Sequence, residues 1–384
     1  MSSISSQPYK RQNGLSLIEL MIAMVLGLIL LAGTLSIFLS TRQGYGVNNA
    51  ISRVQENGRF ALDYIYNDAR MAGYMGCATS TQTTNYLNPV AGSNLAFDFS
   101  TAIKGYEYNN TGPNNIYPAA NSQAEQPNVD TNTADWSPAL DSDLQNWVIP
   151  GTDVLVVRFS GGQSPVYITD IPGSPSPNSP SADFNVNVNG GLQTGDLLVV
   201  SNCVNSVILQ ATHINGGPNG PGTNIVHNTG NSDYPGNAIQ GLPSAFVGAQ
   251  VMLQPITVVF YIGKGVDNSP ALYEAVTNTS GVNGFSSMEL VPQVEDMQVL
   301  YGVDLTGNNA PTEYETAAAV DASGEWSNVV SVRVGLLVRS DAGAVPLPKT
   351  APTFNLLGST FTAPIDTRLR KMFTATIALR NRLH

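Results

Sequence analysis

Residues Gly14 to Ser40 read GLSLIELMIAMVLGLILLAGTLSIFLS. Leu15 to Leu39 is an apolar run of 25 residues broken by a single acid, Glu19, and no charge occurs from Leu20 to Thr41. A helix rises ~1.5 Å per residue and crosses a bilayer core in about 20 residues, so this segment is long enough to span. A carboxylate in hydrocarbon costs a few kcal/mol at least, so Glu19 demands a partner. The residues before it, MSSISSQPYKRQNG, are polar and carry Lys10 and Arg11, which keeps that side cytoplasmic.

A secretory signal peptide has a shorter apolar core followed by a small-residue cleavage site, and neither is present here. A plain single-pass anchor accounts for the length but leaves Glu19 and the Gly14 junction unexplained. Cleavage after Gly14 accounts for both. Leu15 then becomes the first residue, with a new positive α-amine, and Glu19 sits four residues into the helix. In staggered neighbouring chains one amine can meet another chain's Glu19. An unpaired buried charge is costly, so such a pair sets the register.

Gly14, Leu15, Ser16, Leu17, Ile18, Glu19 and Leu20, behind a basic leader and before a membrane-length helix, resemble the class III leader of type IV pilins and pseudopilins. The resemblance implies that a prepilin peptidase cuts after Gly14 and methylates the new amine of Leu15, where Phe is commoner in the family. Four further blocks narrow it. QENGRFALDYIYNDARMAGYMGC (Gln55–Cys77) resembles the helix end of PilW-type minor pilins. SMELVPQVEDMQVLYGVD (Ser287–Asp304), NVVSVRVGLLVRS (Asn328–Ser340) and RKMFTATIALRNRL (Arg370–Leu383) resemble their C-terminal strands. The family usually carries Gly before Val294; Gln293 stands there in this chain, which puts the local turn in question.

Beyond the apolar run, Val47, Ile51, Val54, Gly58, Ala61, Ile65, Asp68 and Ala72 recur at alternating steps of four and three. That is one helix face, and six of the eight are apolar, so the face suits a sheet. One helix from Leu15 to Ala72 would be roughly 87 Å long at ~1.5 Å per residue. Gly44 and Gly46 predict a bend or local melting, and Gly73 and Gly76 predict the stop. Ala23 and Gly27 are a small-xxx-small pair that permits close helix approach.

Strand-like runs follow at Asp153–Phe159, Asp196–Ser201, Val204–Ala211, Ile256–Ile262, Met288–Val291, Met297–Val303, Val329–Arg339 and Met372–Arg380. Residues 160–191 and 214–243 are rich in Pro, Gly and Asn and read as surface loops. The two cysteines, Cys77 and Cys203, fit either one disulfide in an oxidising compartment or two buried thiols. A disulfide between them would tie the helix end to the sheet.

Charged residues make up only 12% of the 384-residue chain, and the net charge is −11. An acidic chain does not suit direct binding of nucleic acid, which needs clustered Lys and Arg. His213 and His227 have no Cys or acid at ligand spacing, so no metal site is expected. No G-x-S-x-G or H-E-x-x-H occurs, and Gly263-Lys264-Gly265 reads as a hairpin turn. Glu295 and Asp296 are adjacent in a strand, so they face opposite ways and are read as solvated or hydrogen-bonding rather than catalytic. Arg368, Arg370, Lys371, Arg380 and Arg382 read as a solvated strand face or a salt-bridging interface.

The expected fold is α+β and pilin-like: a long N-terminal helix, half apolar and half amphipathic, packed on an antiparallel β-sheet with a large loop-rich head. The expected divisions are 1–14 leader, 15–40 transmembrane or fibre-core helix, 41–76 amphipathic continuation and 77–384 periplasmic or extracellular head. No enzyme activity, cofactor or small-molecule substrate is expected. The resemblance implies a minor pilin that helps prime type IV pilus assembly in a tip complex. Such pili serve adhesion, twitching motility and often DNA uptake. Its implied partners are other minor pilins, the major pilin, prepilin peptidase and, before assembly, the inner membrane. A minor pseudopilin of a type II secretion system, or a membrane-anchored surface adhesin, is the alternative. The aromatic, Asn-rich region 79–150 is weak support for a sugar-binding adhesin.

Overall fold

A computed structural model describes residues 14, 16–77, 83–88, 95–118, 129–161, 165–172, 182–216, 223–230 and 234–382. Leader residues 1–13, Leu15, residues 173–181 and 217–222 of the two loop regions, and His384 lie outside the described residues. The chain divides into two units, Met1–Ser52 and Arg53–His384.

Helix α1 spans Leu17–Ala69. The melting predicted at Gly44 and Gly46 does not occur, since both residues are helical. Each glycine costs about 1 kcal/mol relative to Ala, and the helical turns on either side carry that cost. In the first unit the large apolar side chains from Leu17 to Leu39 are exposed. One helix, α1, is long and apolar enough to cross a membrane.

In the second unit α1 buries Val54, Gly58, Ala61, Ile65 and Ala69. This is the predicted stripe, with Ala69 joining it and Asp68 left at its half-buried edge. The chain then turns at Gly73 (φ 79°) and Gly76 (φ 78°), the left-handed conformations that glycine adopts freely.

The antiparallel sheet of the expectation is present, but it is one of several. A six-stranded sheet runs β15 (Phe285–Pro292), β14 (Pro270–Val282), β13 (Pro255–Lys264), β5 (Val154–Ser160), β2 (Ile103–Tyr108) and β4 (Trp136–Ser137). A four-stranded sheet runs β17 (Glu313–Glu315), β16 (Val294–Val303), β18 (Val329–Arg339) and β21 (Arg370–Ala378). Two smaller sheets build the head. One is β1 (Thr83–Asn85), β9 (Ser206–Gln210), β8 (Leu197–Ser201) and β12 (Gln250–Leu253). The other is β10 (His213–Asn215), β11 (Thr223–Val226), β7 (Asp183–Val186) and β6 (Ile168–Asp170). A last sheet joins β19 (Thr353–Leu356), β20 (Ser359–Thr362) and β3 (Ile116–Pro118). Two pairings are parallel, β1 with β9 and β20 with β3; the other strand pairings are antiparallel.

The centre of the six-stranded sheet, β5 and β13, is buried on both faces. Leu155, Val157, Val258 and Phe260 face the core that contains the helix stripe together with Val332, Val334, Leu336 and Ile377. Val154, Val156 and Val259 face a second core with Phe97, Phe99, Trp136 and Leu144. This explains why β5 reads as the uninterrupted apolar run VLVV rather than an alternation.

At Gly58 the helix lies close to β21. A Cβ there would lie 2.3 Å from Cε2 of Phe373 on β21. Gly58→Ala is therefore expected to destabilise the fold by about 1–3 kcal/mol, despite alanine's better helix propensity. Adding Phe373→Leu should recover part of the loss. Thermal melts followed by circular dichroism check both, and an unchanged Tm for Gly58→Ala would show that the ring gives way at no cost.

Candidate functional site

The helix start is locally self-capped. Ser16 precedes the first helical residue, and its hydroxyl accepts the Glu19 N–H at 3.2 Å. The Glu19 carboxylate accepts the Ser16 N–H at 3.0 Å. This is a reciprocal S-x-x-E capping box, worth about 1 kcal/mol to the helix. The pattern was visible in the sequence, at Ser16 and Glu19, but the reading of Glu19 as an intersubunit group obscured it. In the free subunit Glu19 is exposed and bonded within its own first turn. Gly14 is exposed.

The end of α1 is tied down several ways. The Gly73 N–H donates to the Arg158 carbonyl at 2.8 Å, and the Ser160 N–H donates to the Tyr74 carbonyl at 2.6 Å. Cys77 and Cys203 form a disulfide, joining the segment after the helix to the turn between β8 and β9. A cross-link over 126 residues restricts the unfolded chain by roughly 5 kcal/mol at most. Asn57 on the helix donates to the Pro292 carbonyl at 3.2 Å. Arg53 and Asp341 pair at 3.5 Å, but both are largely exposed, so that pair adds little.

The half-buried Asp68 and Glu274 carboxyls share a hydrogen bond, which needs a proton on one of them. Burial, then the adjacent Asp68, pushes Glu274 up to about 7.

The adjacent acids Glu295 and Asp296 are fully buried, contrary to the solvated reading. A register shift in β16 against β18 falls between Val294 and Asp296. Glu295 accepts from Arg370 at 2.6 Å and from Arg339 at 3.3 Å. Asp296 accepts from the Tyr117 hydroxyl at 2.5 Å and from Gln298 at 3.2 Å. The two carboxylates therefore have separate partner sets.

The basic C-terminal run also differs from a solvated face. Arg370 is buried and makes a second pair with Asp366 at 2.7 Å, and Arg382 is buried against the Trp326 and Ser327 carbonyls. Lys371 and Arg380 are exposed. A buried Arg with every partner in place is tolerable, whereas removing one partner is expensive.

Gln293 resolves the departure from the family block. Its φ is +63°, the left-handed region where glycine is the usual occupant. Gln incurs that strain, but its side chain accepts the Arg339 Nε–H at 2.9 Å and its carbonyl accepts the Arg339 N–H at 2.9 Å. The turn is kept, and the side chain becomes part of the buried ion cluster.

Comparison with known proteins fits this arrangement. Residues 259–381, which hold β14 to β18, α2 (Ala317–Ser323) and β21, match the family model for Type IV Pilus-assembly protein W. Residues 9–35 match the prokaryotic N-terminal methylation motif. Both matches support a PilW-type type IV pilin. A type IV-like pilin from Thermus thermophilus is similar over 50% of this chain and 86% of its own, at 16% identity and a TM-score of 0.21, a level at which the likeness carries no argument. No curated protein matches. Pilin families are structural. A prepilin leader ahead of an apolar helix anchors such a chain in the inner membrane and leads it into the pilus.

Two measurements probe the site. Gln293→Ala keeps the strained φ and strips Arg339 of an acceptor, so it should cost about 1–3 kcal/mol. Gln293→Gly relieves the strain and should cost less; the reverse order in thermal melts would discount the side-chain bond. For Glu274, a raised folded pKa gives stability that is complete below about 4.5 and lost as pH climbs through about 7. The Tm of Glu274→Gln should match wild type near pH 4.5 and exceed it near pH 8. A pH-independent difference would remove the proton-sharing account.

Proposed function

We propose that this chain is a minor pilin that helps prime pilus assembly, in a tip complex with other minor pilins. Prepilin peptidase cuts after Gly14 and methylates the new amine of Leu15. The division proposed is leader 1–14, fibre-core helix 15–40, amphipathic continuation 41–76, whose helix ends at Ala69, and head 77–384. The observation that carries the reading is the bare apolar half of α1, whose one charge is Glu19. An exposed surface of that size needs lipid or other helices around it.

Docking then exchanges one partner of Glu19 for another. In the free subunit the carboxylate holds the Ser16 N–H. In the fibre it meets the Leu15 amine of a neighbour, a charged donor that makes a stronger bond than a neutral amide. Hydrophobic helix packing supplies the remaining drive. A large head suits the tip, because no subunit must stack above it.

Protein sheared from pili should begin at Leu15 with a methylated amine, read by N-terminal sequencing and intact mass. Retention of residues 1–14 would favour a plain anchored adhesin. Glu19→Ala should lower incorporation at least about tenfold without blocking cleavage; wild-type incorporation would end the latch idea. Labelled imaging should place the chain at fibre tips, and an even distribution along the shaft would contradict that. Pull-down of secretion-system components in place of pilins would reassign it as a pseudopilin.

A further inference from the structure

Strands β13 and β14 are antiparallel with Tyr261 directly opposite Tyr273. Their rings stack at 5.4 Å between centroids and 17° between planes. Trp147 adds a third ring, 5.9 Å from Tyr261 and tilted by 31°. Tyr261 is buried, while Trp147 and Tyr273, each packed against it, are half-buried and line a groove with it. The Tyr261 hydroxyl lies 2.7 Å from Ser287 Oγ, and the Tyr273 hydroxyl donates to the Lys264 carbonyl at 2.8 Å. Gly263 lies against both tyrosines, where a Cβ would come within 2.9 Å of Tyr273 and 3.0 Å of Tyr261. The platform is therefore held in place before any ligand arrives.

The groove holds ≈ 880 Å³, within the range of small-molecule sites. Its lining includes the amides of Asn146 and Asn278 and the ammonium of Lys264; among the described residues no carboxylate lines it, and Glu289 lies behind it, 3.5 Å from the Tyr273 hydroxyl. Asn146 projects from a left-handed turn at φ +67°. Aromatic faces beside neutral amides match one chemistry well. A pyranose presents a C–H face that stacks on a ring and a rim of hydroxyls that pairs with amides.

We propose that this groove binds a neutral carbohydrate chain, with Trp147 and Tyr273 as the stacking surfaces and Asn146 and Asn278 pairing with hydroxyls. Single-stranded nucleic acid also stacks on aromatics, but it needs a cationic track. The groove offers one Lys in a chain of net charge −11. Sugar binding here is independent of fibre docking through Glu19.

The test uses the mature full chain in a zwitterionic detergent that has no sugar headgroup. It is titrated calorimetrically, and by tryptophan fluorescence, with two neutral β-1,4-linked hexasaccharides, chitohexaose and cellohexaose. At least one should bind saturably, with a Kd between about 10 μM and 1 mM. Trp147→Ala and Tyr273→Leu should each weaken it about tenfold or more, and Asn278→Ala about threefold. Tyr273→Leu keeps apolar packing on Tyr261, so it carries the test if Trp147→Ala melts early. Absence of saturable binding by either sugar up to about 10 mM, or wild-type affinity in both aromatic variants, overturns the proposal. Binding of a twelve-nucleotide oligothymidine that is lost in Tyr273→Leu, with no sugar bound, overturns it in favour of nucleic acid.

Discussion

The ring of Phe373 lies against a helix position that has no side chain, and that vacancy lets α1 and β21 meet closely in the second unit. Gly58 lets β21 approach α1, and the small residues Ala61, Ala69 and Ala72 continue the same flat face. Close approach means many dispersion contacts per residue, each weak and together large. The glycine's conformational cost inside a helix, about 1 kcal/mol, is set against that gain. The helix is thus fixed to the sheet by shape, with hydrogen bonds such as Asn57 to the Pro292 carbonyl at its edge.

Much of this could be read from the chain. The stripe Val54, Gly58, Ala61, Ile65, Ala72 is the buried face, and the eight strand-like runs all fall on strands. The reason is physical: burial on one face of a helix or on both faces of a strand leaves a periodic or continuous apolar signal. The sheet of β6, β7, β10 and β11 was missed because its short strands lie in or at the edge of the Pro-, Gly- and Asn-rich stretches 160–191 and 214–243, which read as surface loops, and β14 was missed because its later half, Thr277–Val282, is polar. The short helix α2 was missed although Thr316 caps it and Gly324 ends it, since seven residues are too few to show a period. Sequence alternation placed Glu295 and Asp296 on opposite sides but could not reveal that both sides are dry. Their partners Arg370, Arg339 and Tyr117 come from distant segments, and no local pattern encodes them.

Glu19 illustrates a different limit. A lone acid in an apolar run suggests a distant partner, and the local partner Ser16 is easy to pass over. The two are compatible, because a capping carboxylate is already pointed toward the start of its own helix, where a neighbour's amine would arrive. Pre-orientation lowers the entropy lost on docking.

The Cys77–Cys203 bond also sets how the molecule carries force. A pull applied between α1 and the C-terminal strands travels along covalent bonds, and this cross-link is a shortcut from the helix end to β9. The 125 residues between the two sulfurs lie off that route. The strands within that stretch, such as β5, and the head loops between them are thereby off the direct line of chain tension. Their loops are free to vary in sequence and shape without weakening the tether.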